Sequence, residues 1–184
     1  MVTLIILVFL IFGFFKGLRR GFVMQVVHLF GFIVSFVIAS IYFRKISQQL
    51  SLWIPYPELS DGTSWALFLS SEPLENAFYN AISFAIIFFG VKIIIQIIAS
   101  MLHTVASLPI LRSVNKAVGG ALGFIEMYLL MFIILYILAL TPIASIQSRI
   151  DRSFLAGLII EHTPFLSNAL KSLWFTDVLS LIGF

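Results

Sequence analysis

No cysteine occurs among the 184 residues, which excludes disulfides, thiolate metal sites and cysteine nucleophiles. Charge is scarce too. Asp, Glu, Lys and Arg make up 10% of the chain, against about 25% in ordinary soluble domains. A soluble fold of this size keeps a large part of its surface wet, and the polar residues to coat that surface are missing. Three histidines, His28, His103 and His162, stand in separate segments with no carboxylate at ligand spacing, so no metal motif forms. Neither H-E-x-x-H nor G-x-S-x-G occurs. No serine stands beside a credible base. The chain therefore reads as a protein without catalytic, metal or cofactor residues.

What is present is apolar: 61% of the residues are hydrophobic and the mean hydropathy is +1.12. The class is an integral membrane protein, all-α. The net charge of +3 is too mild to suggest nucleic acid. The basic residues fall between apolar runs, where they meet lipid head groups. The bilayer is thus the first expected partner.

Spanning helices need roughly 20 apolar residues, and four runs qualify, at about 1–15, 21–43, 77–102 and 117–140. The first is short and needs Lys16 to snorkel or the bilayer to thin. Its charges follow the apolar run instead of preceding it, so it reads as a retained anchor and not a cleaved leader. Residues 53–75 read as a loop: Pro55, Pro57, Pro73 and an Asp-Gly pair punctuate it, and Trp53, Tyr56 and Trp65 suit the head-group level. Thr141-Pro142 stops the fourth run. This makes 1–142 a four-span domain. In 143–162 apolar residues recur at helical spacing, with Arg149, Asp151, Arg152 and Glu161 elsewhere on the wheel. The region 143–184 reads as amphipathic helices that lie in the interface or pack beneath the bundle. Positive charges are balanced between the two sides. The first span usually dominates, so both termini are expected outside.

Gly119 and Gly123 share a helix face, and small residues at that spacing let helix backbones approach. A second series, Gly13, Gly17 and Gly21, brackets the charged stretch with Lys16, Arg19 and Arg20, which read as topology anchors. These glycine faces are candidate contacts within the bundle, to a second copy or to another membrane protein. Two stretches, GLRRGFVMQ (17–25) and NKAVGGALGFIE (115–126), resemble the marks of the colicin V production protein family, small bacterial inner-membrane proteins. The likeness extends over the chain in length and span layout. It implies a role in producing or exporting a peptide bacteriocin, or more broadly in the envelope, and it brings no established biochemical activity. Relatives are expected to carry an acidic residue where Gln25 stands, and a basic one followed by glycine where Glu126-Met127 stand.

Glu126 is the anomaly of the fourth span. A charge at the centre of a spanning helix costs roughly 2.5–3.5 kcal/mol and usually finds a partner. Lys92 lies ten residues before the end of span three, and Glu126 eight after Val118, so both sit roughly 12–15 Å from the loop joining them. Gln96 is one turn from Lys92 and extends the polar strip. Glu126 is then a structural partner of Lys92, a carboxyl on a transport path, or a group kept neutral by desolvation. The leading expectation is a non-enzymatic accessory or scaffold protein of the bacterial plasma membrane. The alternative is a small oligomeric transporter or channel built on Lys92, Gln96 and Glu126.

Overall fold

The structure is a computed structural model that describes residues 2–55, 71–102, 112–141, 143–161, 163 and 170. The described residues are all helical or connecting. They form α1 (Val2–Trp53), α2 (Ser71–Leu102), α3 (Arg112–Leu140), α4 (Ala144–Asp151) and α5 (Phe154–Glu161). Three helices, α1, α2 and α3, are long and apolar enough to cross a membrane. The four expected runs are thus carried by three helices, because α1 joins the first two. Residues 16–20, which separate the first two expected spans, are helical.

At 52 residues and 1.5 Å per residue, a straight α1 would reach about 78 Å, more than twice the ~30 Å of a hydrocarbon core. It is not straight. Gly21 has φ 77° and ψ 172°, a region that essentially only glycine occupies. Contacts on either side of it show how the chain runs. Gly13 abuts Gly123 and Met127, Gly17 abuts Gly119 and Gly123, and Gly21 abuts Asn115, so residues 2–20 run antiparallel to α3. A continuing helix would carry residue 25 past Asn115 and away from Glu126. Instead the Gln25 side chain touches Glu126, so the chain turns back at Gly21. Asn115 secures the turn: its Oδ1 accepts the backbone N–H of Phe22 at 2.9 Å, satisfying a donor that a starting helix leaves free.

The second arm, residues 22–53, packs antiparallel to α2 through phenylalanines. Phe32 meets Phe88 edge-on at 5.1 Å between centroids, and Phe36 meets Phe84 at 5.4 Å. Tyr79 donates to the carbonyl of Ile54 at 2.6 Å, closing the far end. Phe132 and Tyr136 of α3 join the same core. The outer face of the first arm stays apolar and exposed, with Leu4, Val8, Phe12 and Phe15 all more than half exposed. An apolar face of this length suits the hydrocarbon core of a bilayer.

The amphipathic pattern after Pro142 is realised as two short helices instead of one. Ser153 divides them: its N–H bonds the carbonyl of Ile150 at 2.9 Å, and its Oγ accepts the N–H of Ala156 at 3.3 Å, an N-cap for α5. Ile150, Ala156, Ile159 and Leu170 are buried in the core cluster. Thr3 and Ser153 share a hydrogen bond of 2.9 Å, so the tail packs where the first arm begins. Tyr56, Trp65, His103 and His162 lie outside the described residues.

Candidate functional site: a buried polar centre between four helical segments

The glycines decide how closely α3 meets the turned α1. A Cβ on Gly123 would lie 2.5 Å from the carbonyl oxygen of Gly13 and 2.8 Å from Cα of Gly17. One on Gly17 would overlap the carbonyl oxygen of Gly119. Real Cβ atoms do not approach backbone so closely, so both series must be glycine for this contact to form. The two faces meet each other within one chain. A second chain approaching along them would have to displace that contact.

Close approach at the glycines sets the three polar side chains beside one another. Glu126 lies three residues beyond Gly123 and points between the second arm and α2. Lys92 of α2 donates to its Oε1 at 2.7 Å. Gln25 of the second arm donates through Nε2 to Oε2 at 2.5 Å. Each carboxylate oxygen therefore accepts one hydrogen bond. The Lys92 ammonium also lies 5.2 Å above the Phe32 ring, a cation–π contact worth about 0.5–2 kcal/mol. The Lys92 and Glu126 side chains are 12% and 14% exposed. Screening is weak at that burial, and removing one partner leaves the other charge stranded at a cost of about 3–5 kcal/mol.

Gln25 and Glu126, from the two stretches that carry the family resemblance, touch each other. An amide there faces a carboxylate, and the cation of the group, Lys92, comes from α2. Gln25 is 1% exposed, and its Oε1 has no hydrogen-bond partner. A cavity of about 110 Å³ opens beside the group, and Lys16, Arg20, Gln25, Lys92, Gln96 and Glu126 line it together with Gly13 and Gly123. Lys16 and Arg20, expected as anchors, thus share a cavity wall with the polar strip. Arg19, on the other side of the helix, is exposed. His28 is buried on the second arm, one turn from Gln25 and outside the cavity lining. Among the described residues no three His, Asp or Glu side chains cluster as a metal site.

Two contacts, those of Asn115 and Gln25, were not read from the sequence. Asn115 repeats at the spacing of Gly119 and Gly123, so its place on the same face was readable. The contact of Gln25 with Glu126 could be found only by knowing that the chain turns at Gly21.

A family model described as "Colicin V production protein" matches residues 2–164. The chain belongs to the colicin V production protein family. This member is also similar to the uncharacterized transmembrane protein YshB of Bacillus subtilis (strain 168), at 40% identity over 174 residues, covering 95% of this chain and 97% of that one. No solved structure matches. A colicin V production family member with three helices suited to a bilayer and a transmembrane relative is a membrane protein. Its family is not a known class of enzyme.

Proposed function

We propose that this protein is a non-enzymatic accessory or scaffold protein of the bacterial plasma membrane, acting in the production or export of a peptide bacteriocin and in maintenance of the envelope. The observation that carries the reading is the pairing of Glu126. Both of its oxygens accept short hydrogen bonds, from Lys92 and Gln25. A carboxylate held at both oxygens fixes the register of α1, α2 and α3. In this reading each arm of α1 crosses the bilayer, giving four crossings with both termini outside, and the tail lies at the outer interface. The turn at Gly21, and an α1 too long for one crossing, support this. A partner, whether a second copy or another membrane protein, would meet the apolar outer faces.

A second reading is favoured by the cavity beside Lys92, Gln96 and Glu126: a small transporter or channel that works as an oligomer. Replacing the pair together, Lys92→Leu with Glu126→Met, separates the two. Exchange of a buried pair for apolar residues of similar volume is often neutral or stabilising. The scaffold therefore keeps bacteriocin release and envelope integrity in a complemented deletion strain. Loss of both phenotypes in a double variant that still accumulates in the membrane as folded protein would favour transport.

A further inference from the structure

The charge on the cavity wall does not balance. Three cations, Lys16, Arg20 and Lys92, line it with one carboxylate, Glu126. Lys92 neutralises that carboxylate. Lys16 and Arg20 form no ion pair among the described residues, and both are partly buried. Two uncompensated positive charges therefore border a space of about 110 Å³, where one water needs about 10–15 Å³. Partly buried charges are screened less than exposed ones, so the space favours an anionic group of several heavy atoms. Ammonium and guanidinium offer N–H donors and no acceptor, which suits a fully ionised oxyanion, and the guanidinium fork matches phosphate oxygens.

The border of the cavity narrows the choice to a lipid. Lys16 lines the cavity, and its ammonium also sits 5.6 Å from the Phe12 ring. Phe12 is more than half exposed on the apolar outer face of the first arm. On α2, Lys92 and Gln96 line the cavity, and the residues that follow them, Ile93 and Ile97, are also more than half exposed. A cationic space is thus flanked on two helices by outward apolar surface. The depth agrees. Lys16 precedes the turn at Gly21 by about 7 Å of helical rise, and Arg20 adjoins the turn, so both charges are within reach of a head-group layer. A free inorganic anion gains nothing from the apolar flanks. A phospholipid uses both parts, phosphate inward and acyl chains along the flanks.

We propose that this cavity binds one anionic phospholipid, its phosphodiester oxygens held by Lys16 and Arg20 and its acyl chains against Phe12, Ile93 and Ile97. A zwitterionic lipid is disfavoured, because its own cation would be brought beside Lys16 and Arg20. Arg19 carries the same charge at the same end of the helix but is exposed and outside the lining. It therefore separates a built site from general attraction of head groups. The site stands with either functional reading above, because it rests on the lining and its flanks and not on transport.

The test titrates the full-length protein in neutral detergent with phosphatidylglycerol or phosphatidylcholine of the same acyl chains, and native mass spectrometry counts bound lipid. The parent should take up one phosphatidylglycerol at least tenfold more tightly than phosphatidylcholine. Lys16→Gln and Arg20→Gln should each weaken that lipid about tenfold, the loss of one charge-assisted contact. Arg19→Gln should leave it within about twofold, as for an exposed charge. A second arm adds inorganic phosphate in large excess, with chloride at equal ionic strength as control, and the lipid should stay bound. Displacement by phosphate but not chloride assigns the site to a soluble oxyanion and overturns the lipid. Equal affinity for the two lipids, uptake without a single tight site, or equal losses from Arg19→Gln and Arg20→Gln overturn the site itself. The lipid comparison and the phosphate arm use the parent protein, so they decide the matter even if a variant does not fold.

Discussion

Replacing Gly119 with alanine sets a methyl group 2.6 Å from the carbonyl oxygen of Gly17 and 2.6 Å from the carbonyl carbon of Gly21. Ordinary van der Waals contact begins near 3.4 Å, so α3 and α1 must part by about 0.8 Å. The opposing atoms are backbone and cannot swing away. Overpacking of this kind costs about 1–3 kcal/mol, against a total stability of about 5–15 kcal/mol. For a chain of this size each kcal/mol moves Tm by about 2–4 °C. Gly119→Ala should therefore melt about 2–12 °C below the parent when followed by circular dichroism in detergent micelles. Gly90→Ala is the control: a Cβ there meets nothing within 4 Å, and alanine is preferred to glycine inside a helix by about 0.5–1 kcal/mol. It should melt at or above the parent. A Gly119→Ala protein as stable as Gly90→Ala would refute the close contact between the glycine faces.

Gly21→Ala acts through conformation as well as space. Its φ of 77° with ψ of 172° costs a side-chain-bearing residue about 1–3 kcal/mol, and the new Cβ would lie 2.8 Å from Asn115 Nδ2; the same melting assay should show a loss at least as large as that of Gly119→Ala. Asn115→Ala removes the acceptor for the Phe22 N–H and should cost about 0.5–2 kcal/mol, whereas Asn115→Asp, which keeps the oxygen, should retain most of that stability. Gly120→Ala should be milder than Gly119→Ala, by a lower Tm loss in the same micelles, because its Cβ would meet side-chain atoms, of Leu18 at 2.8 and 2.9 Å and of Phe14 at 3.0 Å, which can shift where backbone cannot.

Helix class was legible because long apolar runs allow a bilayer-bound chain little else, and the run from 117 to 140 ends in α3 at Leu140, just before Pro142. The helix count was not. Residues 16–20 read as a loop because charge interrupts hydropathy, yet Leu18, Arg19 and Arg20 are good helix formers and the turn needs one residue, Gly21. A positive φ leaves no trace in the sequence beyond the glycine itself, and Gly13 and Gly17 share that identity while staying helical. Depth along neighbouring helices follows from rise per residue, which is enough to set Lys92 level with Glu126. It says nothing of Gln25, whose place depends on the direction of the second arm. The tail differs for a local reason: hydrophobic periodicity continues through Arg152 and Ser153, but Ser153 caps α5 and breaks the helix that periodicity suggests.

The most direct test of the account is a charge exchange at the centre: Lys92→Glu, Glu126→Lys and both together, scored for folded protein in the membrane fraction and for bacteriocin release. Each single exchange places two like charges against each other at a position where the parent atoms are 2.7 Å apart. The account predicts that both singles lose assembly and that the double recovers assembly and release together. Singles that assemble like the parent, or a double no better than either, would contradict a structural role for the pair.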